Sequence, residues 1–502
     1  MTMLGISRWS VRLVFPGILL FGLLAMTARN ALDPDLWWHL RTGEWIVETG
    51  HVPHTDPFSF TRAGHPWVSH EWLSDVVFFE LWKHGGDAAL IIFSSIITTS
   101  GFMLLYLRCP GNRLWALAAT VLGALTSAPC WGVRPQMFTF TLASLLLWLL
   151  EAGEHRPRLL FWIAPLFLLW LNLHAGFALG PALLVAYGVG LTLETAAGST
   201  TWPQVRSTLL RVLLLLLVCL ALVPLNPSGA QLYRYPFDTL RSPGMRSFIV
   251  EWFSPDFHQS LYLPLLLVWL LLLTALASSR SRPRGRVIVP LLLTSLAALD
   301  AVRHIPIFVL VAIPVIAAAL PSASASASAA TSQRRPASPR FRPLFSGAVV
   351  ILLAAFALVR WVVLARDQNA REAEQFPQKA VAFLQASGHP QRIFVYYDWG
   401  GYAIWNLYPQ YRVFVDGRAD LYGDDLLRQF QTAIRLRTGW QDVLDRWQVQ
   451  TVLVPPSSAL AQALLLDPNW RAAFQDSQAI VLFRSHPPVE NAGFCRNPVP
   501  EG

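Results

Sequence analysis

Acids and imidazoles near the start of this chain are spaced for shared chemistry. Asp33-Pro34-Asp35 is followed one helical turn later by His39, and Ser69-His70-Glu71 is followed by Asp75. On a helix, residues three or four apart lie on one face. A carboxylate and an imidazole so placed, Asp35 and His39, can pass a proton or ligate a metal. Asp33 also has a structural reading. Asp before Pro is a common helix start, with the Asp as N-cap and Pro34 at the first helical position. For Asp35 the competing role is a first-turn acid that favours the helix dipole. Glu71 and Asp75 repel each other at four-residue spacing unless a cation or a shared proton intervenes. His70 stands beside them, and the plainer reading of that group is a polar helix start.

Later segments carry isolated polar groups where apolar runs end. They are Arg134-Pro135-Gln136, Asn172-Leu173-His174, Asn226-Pro227-Ser228-Gly229, Glu251-Trp252 and Asp300-Ala301-Val302-Arg303-His304. Charge is tolerated at the end of a membrane span and costly at its middle. Each residue alone is therefore unremarkable. Jointly they put acids, histidines and single arginines on one face.

The elements that must position these residues are membrane helices. Hydrophobic residues make up 54% of the chain and charged residues 14%. Soluble domains carry about 25% charge, so a single water-soluble globule is excluded. Runs of the roughly 20 apolar residues that a span requires occur about eleven times. They fall at 12–29, 87–107, 113–129, 136–151, 158–172, 175–195, 206–224, 261–278, 286–301, 303–320 and 345–365. The first run reads as a retained helix, not a signal peptide, because it is long and lacks a clear small-residue cleavage site.

Placing the N-terminus in the cytoplasm puts Arg108, Arg113, Arg156, Arg158, Arg280, Arg282, Arg284 and Arg286 on the cytoplasmic side. The shortest outer loops then hold only Arg134 and Arg303, and the longer one at 225–260 holds Arg234, Arg241 and Arg246, fewer than the cytoplasmic side carries. The long first loop, 31–86, and everything after about 366 fall outside. Inner (plasma) membrane is the expected location. The net charge of +9 follows from this topology and gives no reason to expect nucleic acid. Most of the 21 tryptophans read as an interfacial belt. Of the four cysteines, only Cys130 and Cys495 share the outer face and can be considered for a bridge.

The expected fold is thus an α-helical polytopic membrane protein with a C-terminal α/β soluble domain. Its parts are a transmembrane body at 1–320, a low-complexity cytoplasmic linker at 321–343, a last transmembrane helix at 344–365 and an extracytoplasmic α/β domain at 366–502. In that domain, strand-like runs at 392–397, 412–415, 451–454 and 479–483 alternate with helix-like stretches at 424–436 and 441–447. It contains Tyr396-Tyr397-Asp398-Trp399-Gly400 and Val413-Phe414-Val415-Asp416-Gly417-Arg418. Strand, turn and helix with Asp-Gly turns accounts for Asp416 better than for the aromatic cluster at Asp398.

With these residues in view, the chain resembles the GT-C glycosyltransferases, multi-span enzymes that use polyprenyl-phosphate-linked sugars. The likeness lies in the Asp33-x-Asp35 acids of a long first outer loop, the multi-span body and the outward C-terminal domain. Tyr396-Tyr397-Asp398-Trp399-Gly400 is similar to the Trp-Trp-Asp-Tyr-Gly motif of oligosaccharyltransferase catalytic subunits, which contacts the acceptor. That pattern has a second acidic pair in the next outer loop, where this chain has Arg134-Pro135-Gln136.

The resemblance implies transfer of a sugar to a glycan, lipid or protein acceptor. Asp33, Asp35 and His39 would be catalytic. His70, Glu71, Arg134, His174, Arg303, His304, Asp398 and Trp399 would bind substrate. A divalent metal, Mg or Mn, would have Asp35 and His39 as candidate ligands. The alternatives are a flippase or transporter of a lipid-linked substrate and a non-catalytic envelope membrane protein. A transporter would carry ionisable groups or broken helices at mid-membrane.

Overall fold

Long apolar runs bury their own backbone polar groups by forming helices, and all eleven runs do so in a computed structural model of the chain. The structure describes residues 3–279, 284–320, 341–388 and 392–485. In chain order the helices are α1 (Met3–Thr27), α2 (Leu36–Thr49), α3 (Trp72–Arg108), α4 (Arg113–Ser127), α5 (Gln136–Gly153), α6 (Ile163–Leu173), α7 (Leu179–Ala196) and α8 (Trp202–Leu222). They continue as α9 (Tyr235–Arg241), α10 (Pro243–Phe248), α11 (Leu263–Ser278), α12 (Gly285–Asp300), α13 (Ile305–Ala319) and α14 (Phe341–Gln375).

Seven segments among the described residues are long and apolar enough to cross a membrane. They are Trp72–Arg108, Gln136–Gly153, Ala175–Ala196, Trp202–Leu225, Ser260–Ser278, Val302–Ala319 and Gly347–Gln375. Leu13–Thr27 and Pro157–Leu173 are shorter apolar helices. The runs at 113–129 and 286–301 fold as α4 and α12, of 15 and 16 residues. The chain is a multi-pass membrane protein. Most of the linker at 321–343, and Cys495, lie outside the described residues. Cys109, Cys130 and Cys219 are free thiols.

Two compact units form. The first comprises Met1–His54 and Val68–Arg371, and the second Thr55–Trp67 and Glu372–Gly502. Part of the long first loop therefore belongs to the second unit, an assignment that loop composition did not suggest.

In the first unit, α2 lies against the start of α3. A Cβ on Gly43 would sit 2.1 Å from the Asp75 carbonyl oxygen and 2.7 Å from the Phe79 Cβ, so only glycine permits this approach. Gly43→Ala should lower stability by about 1–3 kcal/mol, read as a drop in thermal melting of the detergent-solubilised protein. Within α3, Gly86 takes φ 57 and ψ −157. The kink separates a first segment that carries Asp75, Glu80, Lys83 and His84 from the longer remainder of the helix.

The second unit adds α15 (Gln378–Ser387), α16 (Gly400–Leu407), α17 (Ala419–Ile434), α18 (Trp440–Arg446) and α19 (Ala459–Leu465). Its strands are β1 (Arg392–Val395), β2 (Arg412–Val413), β3 (Thr451–Val454), β4 (Trp470–Gln475) and β5 (Ile480–Arg484). The sheet order is β2-β1-β3-β5-β4. β1 pairs in parallel with β2 and β3, and β5 runs antiparallel to β3 and β4.

Segment Thr55–Trp67 pairs beside β2. The Phe60 N–H donates to the Val413 carbonyl at 3.1 Å, and the Thr61 hydroxyl donates to that of Phe414 at 2.6 Å. Beneath it lies a buried ionic cluster. Arg418, 1% exposed, donates to Asp56 at 2.8 Å and to both oxygens of Asp416 at 2.8 and 2.7 Å. Its guanidinium stands 4.6 Å from the Trp67 ring centre and 5.2 Å from that of Phe58.

Candidate active site

The first helix of the loop starts later than Asp-Pro spacing predicts. α2 begins at Leu36, with Asp35 as the capping residue and no side-chain cap bond. Asp33 is drawn away from the N-cap role. One of its oxygens accepts the Asp35 N–H at 3.0 Å, and the other lies 2.8 Å from Arg134 Nε. Arg134 also bonds Glu251 through Nη1. Asp33, Arg134 and Glu251 thus form an acid–guanidinium–acid bridge across segments 117 residues apart on the Glu251 side. Burial works against charge on Arg134, but Asp33 and Glu251 outweigh it and hold the guanidinium charged. Burial likewise raises Glu251, and the neighbouring Arg134 and Arg303 overcome this to lower it.

Asp35 is half-buried beside this bridge and accepts the Trp38 indole N–H at 3.2 Å. Burial and then the adjacent Asp33 push its carboxyl up to about 7, against the pull of Arg134 and His39. Asp35 therefore titrates in the neutral range, where a general base is most effective.

His39 does not turn to Asp35, as helical spacing suggested. Its Nδ1 lies 2.5 Å from Asp75 and its Nε2 3.6 Å from Glu71. The reason is packing. Gly43 brings α2 so close to α3 that the His39 ring is caught between the two acids at the start of α3. Burial disfavours the imidazolium, but Asp75, Glu71 and Asp35 together raise the His39 pKa. The cation required between carboxylates four residues apart is thus His39. His39→Phe removes it and should cost about 1.5–3 kcal/mol, measurable as a lower thermal midpoint, whereas His39→Lys should recover part of the loss.

Glu71 is ringed by imidazoles. His70 Nε2 lies at 3.0 Å and His174 Nε2 at 3.5 Å. Burial pushes the Glu71 carboxyl up; the surrounding imidazoles, His70 foremost, outweigh that and hold it below its ordinary range. His174 Nδ1 accepts the Gly176 N–H at 2.9 Å. The Trp170 indole N–H donates to the Thr139 hydroxyl at 2.8 Å, leaving that hydroxyl to donate to His174 Nδ1 at 2.8 Å. This chain puts the His174 proton on Nε2, facing Glu71. Burial, with Arg303 nearby, lowers the His174 pKa to about 4 despite Glu71, so the ring is neutral at pH 7.

An adjoining cavity of about 390 Å³ is lined by Arg134, His174, Glu251, Trp252, Arg303 and His304, with apolar side chains from α5, α7, α12 and α13. Arg303 stands 4.4 Å over the Trp252 ring, and the His304 Nδ1–H donates to the Ala297 carbonyl at 3.1 Å.

Among the described residues, no group of three or more His, Cys, Asp or Glu is arranged to hold a divalent ion. Arg134 is engaged with Asp33 and Glu251, and His39 with Asp75 and Glu71.

Asp398 and Trp399 belong to the second unit. Asp398 is exposed, while Trp399 is buried and donates its indole N–H to the Gln375 carbonyl at 3.1 Å. Spacing did not reveal the roles of Glu251 and Thr139. Glu251 and Thr139 meet partners far away in sequence, and a single hydroxyl in an apolar helix carries no pattern.

No family model matches the sequence, and no curated protein sequence matches it. Solved structures do. The archaeal oligosaccharyltransferase AglB from Archaeoglobus fulgidus, in complex with an inhibitory peptide and a dolichol-phosphate, is 11% identical with a TM-score of 0.52, covering 89% of this chain and 69% of that one. The Archaeoglobus fulgidus oligosaccharyltransferase in the apo form is 12% identical with a TM-score of 0.52, covering 88% of this chain and 69% of that one. ArnT from Cupriavidus metallidurans bound to undecaprenyl phosphate is 13% identical with a TM-score of 0.48, covering 95% and 98%. The chain thus shares its fold, over most of its length, with this archaeal oligosaccharyltransferase.

Proposed function

We propose that this protein transfers a sugar from a polyprenyl-phosphate-linked donor to an acceptor at the outer face of the plasma membrane. The observation that carries this reading is Asp35, an acid held near neutrality, beside the Asp33–Arg134–Glu251 bridge at the edge of an apolar cavity that Arg303 also lines. The structural neighbour with dolichol-phosphate bound supports a lipid phosphate as the donor's carrier.

In this reading an acceptor O–H or N–H attacks the sugar C1. Its proton passes to the Asp35 carboxylate as the new bond to C1 forms. The bond from C1 to the phosphate oxygen breaks, and its electron pair leaves with polyprenyl phosphate. Arg303, His304 and Arg134 face the charge that develops there. The lipid tail occupies the apolar part of the cavity. Asp33 orients Arg134, and the His39–Glu71–Asp75 cluster fixes α2, and hence Asp35, against α3.

The test is incubation of the purified full chain with labelled polyprenyl-phosphate sugars, wild type against Asp35→Asn. Transfer by wild type and its loss in the variant is the expected result. No label moved from any donor by folded protein would end the reading.

A further inference from the structure

A polar clasp joins the chain just past the end of α1 to α14. The Asn30 side-chain amide donates to the Leu364 carbonyl at 3.0 Å and to Gln368 Oε1 at 3.1 Å. Gln368, 1% exposed, also accepts the Ala31 N–H at 3.0 Å and donates to the Ala31 carbonyl at 2.9 Å. The clasp holds two arginines beside each other. Arg29 donates to the Met26 carbonyl at 3.3 Å and lies over Trp131, 5.6 Å from its ring centre. Arg360, about two turns before Gln368, donates to the Ala28 carbonyl at 3.4 Å.

Neither guanidinium has a carboxylate partner among the described residues. Burial, and then the neighbouring Arg360, lower the Arg29 pKa. The simpler account is that both cations answer the carbonyls at the end of α1. A helix C-terminus carries roughly half a negative charge, so one arginine already exceeds it. The other adds a whole positive charge within the apolar segment Gly347–Gln375, where an unmatched ion is costly. The Arg360 Nε is buried with no hydrogen-bond partner.

Around the pair, α14 presents bare hydrocarbon. Leu352, Phe356, Val359 and Val363 are all exposed, and in a bilayer acyl chains cover them. The matching ligand brings a negative charge where α1 ends and hydrocarbon alongside α14. Free phosphate lacks the second, and a zwitterionic lipid adds an ammonium that the arginines repel. The carrier lipid of the proposed transfer has its place in the cavity lined by α5, α7, α12 and α13, which neither arginine lines.

We propose that Arg29 and Arg360 bind the phosphate of an anionic phospholipid, with its acyl chains along the exposed face of α14. The site stands apart from the transfer centre, so its test needs no activity measurement.

The full chain, stripped of lipid in mild detergent, is titrated with phosphatidylglycerol, phosphatidylethanolamine or polyprenyl phosphate. Retained lipid is counted by native mass spectrometry, and the thermal midpoint is read alongside. Wild type should retain phosphatidylglycerol over phosphatidylethanolamine about tenfold, the equivalent of one charge-assisted contact. Its midpoint should rise as phosphatidylglycerol is added. Arg29→Gln and Arg360→Gln should each bring the two phospholipids level, and Arg360→Lys should keep part of the preference. Without lipid, Arg360→Gln should melt no lower than wild type, because it removes an unmatched charge; a lower midpoint would make Arg360 structural and overturn the proposal. Equal retention of the two phospholipids by wild type, or a preference that survives both glutamine variants, would also overturn it. So would variants that lose polyprenyl phosphate in place of phosphatidylglycerol.

Discussion

Asp35→Asn should lower sugar transfer by about 10²–10⁴-fold, the usual contribution of a positioned general base. The pH profile carries a second signature. Only the ionised carboxylate accepts a proton, and burial with Asp33 lifts its titration to about 7. Below that point transfer should fall about tenfold per pH unit; above it the rate should level off. Stability should move the other way. The folded carboxyl titrates above its ordinary value of 3.8, so ionising it works against folding. That component of stability is intact below about pH 4 and is lost as pH rises through about 7. Asp35→Asn removes the penalty, so the variant should be no less stable than wild type at pH 8. An inactive variant that also melts early at pH 8 would show Asp35 to be structural.

Arg418→Met should destabilise the second unit by about 3–5 kcal/mol, because it strands two buried carboxylates without their cation. Asp56 is 2% exposed and Asp416 fully buried, and Arg418 bonds both. Limited proteolysis of the purified full chain should then cleave between residues 372 and 485 at temperatures where wild type resists. Replacing the whole cluster, with Asp56→Asn and Asp416→Asn added to Arg418→Met, should recover much of the loss. An ion cluster swapped for neutral groups costs far less than one broken open. Equal proteolysis of single and triple variants would count against the ionic account and leave packing as the cause.

Features that repeat along the chain were legible. Apolar runs announced the helices, and runs of β-branched and aromatic residues announced β1, β2, β3 and β5. β4 was not legible because Trp470–Gln475 is an edge strand with one buried residue and no alternation. The acids and histidines of the candidate site were found by type, but their partners were not. His39 pairs with Asp75 instead of Asp35 because a glycine, Gly43, sets the α2–α3 separation. Arg134 meets Glu251 and Arg418 meets Asp56 across 117 and 362 residues, where local spacing carries no signal.

The assignment of Thr55–Trp67 to the second unit also bears on how the molecule is made. This segment leaves the ribosome early, while Val413 and Arg418, which complete its pairing, follow about 360 residues later. At about 5–20 residues per second, that interval is roughly 20–70 s of synthesis. Through it Asp56 and Phe58 must wait in water or with a chaperone while the intervening spans insert. Final assembly of the C-terminal sheet therefore reports that the whole chain has been threaded. A truncation anywhere in between releases a product whose first loop is permanently incomplete, a ready mark for membrane quality control.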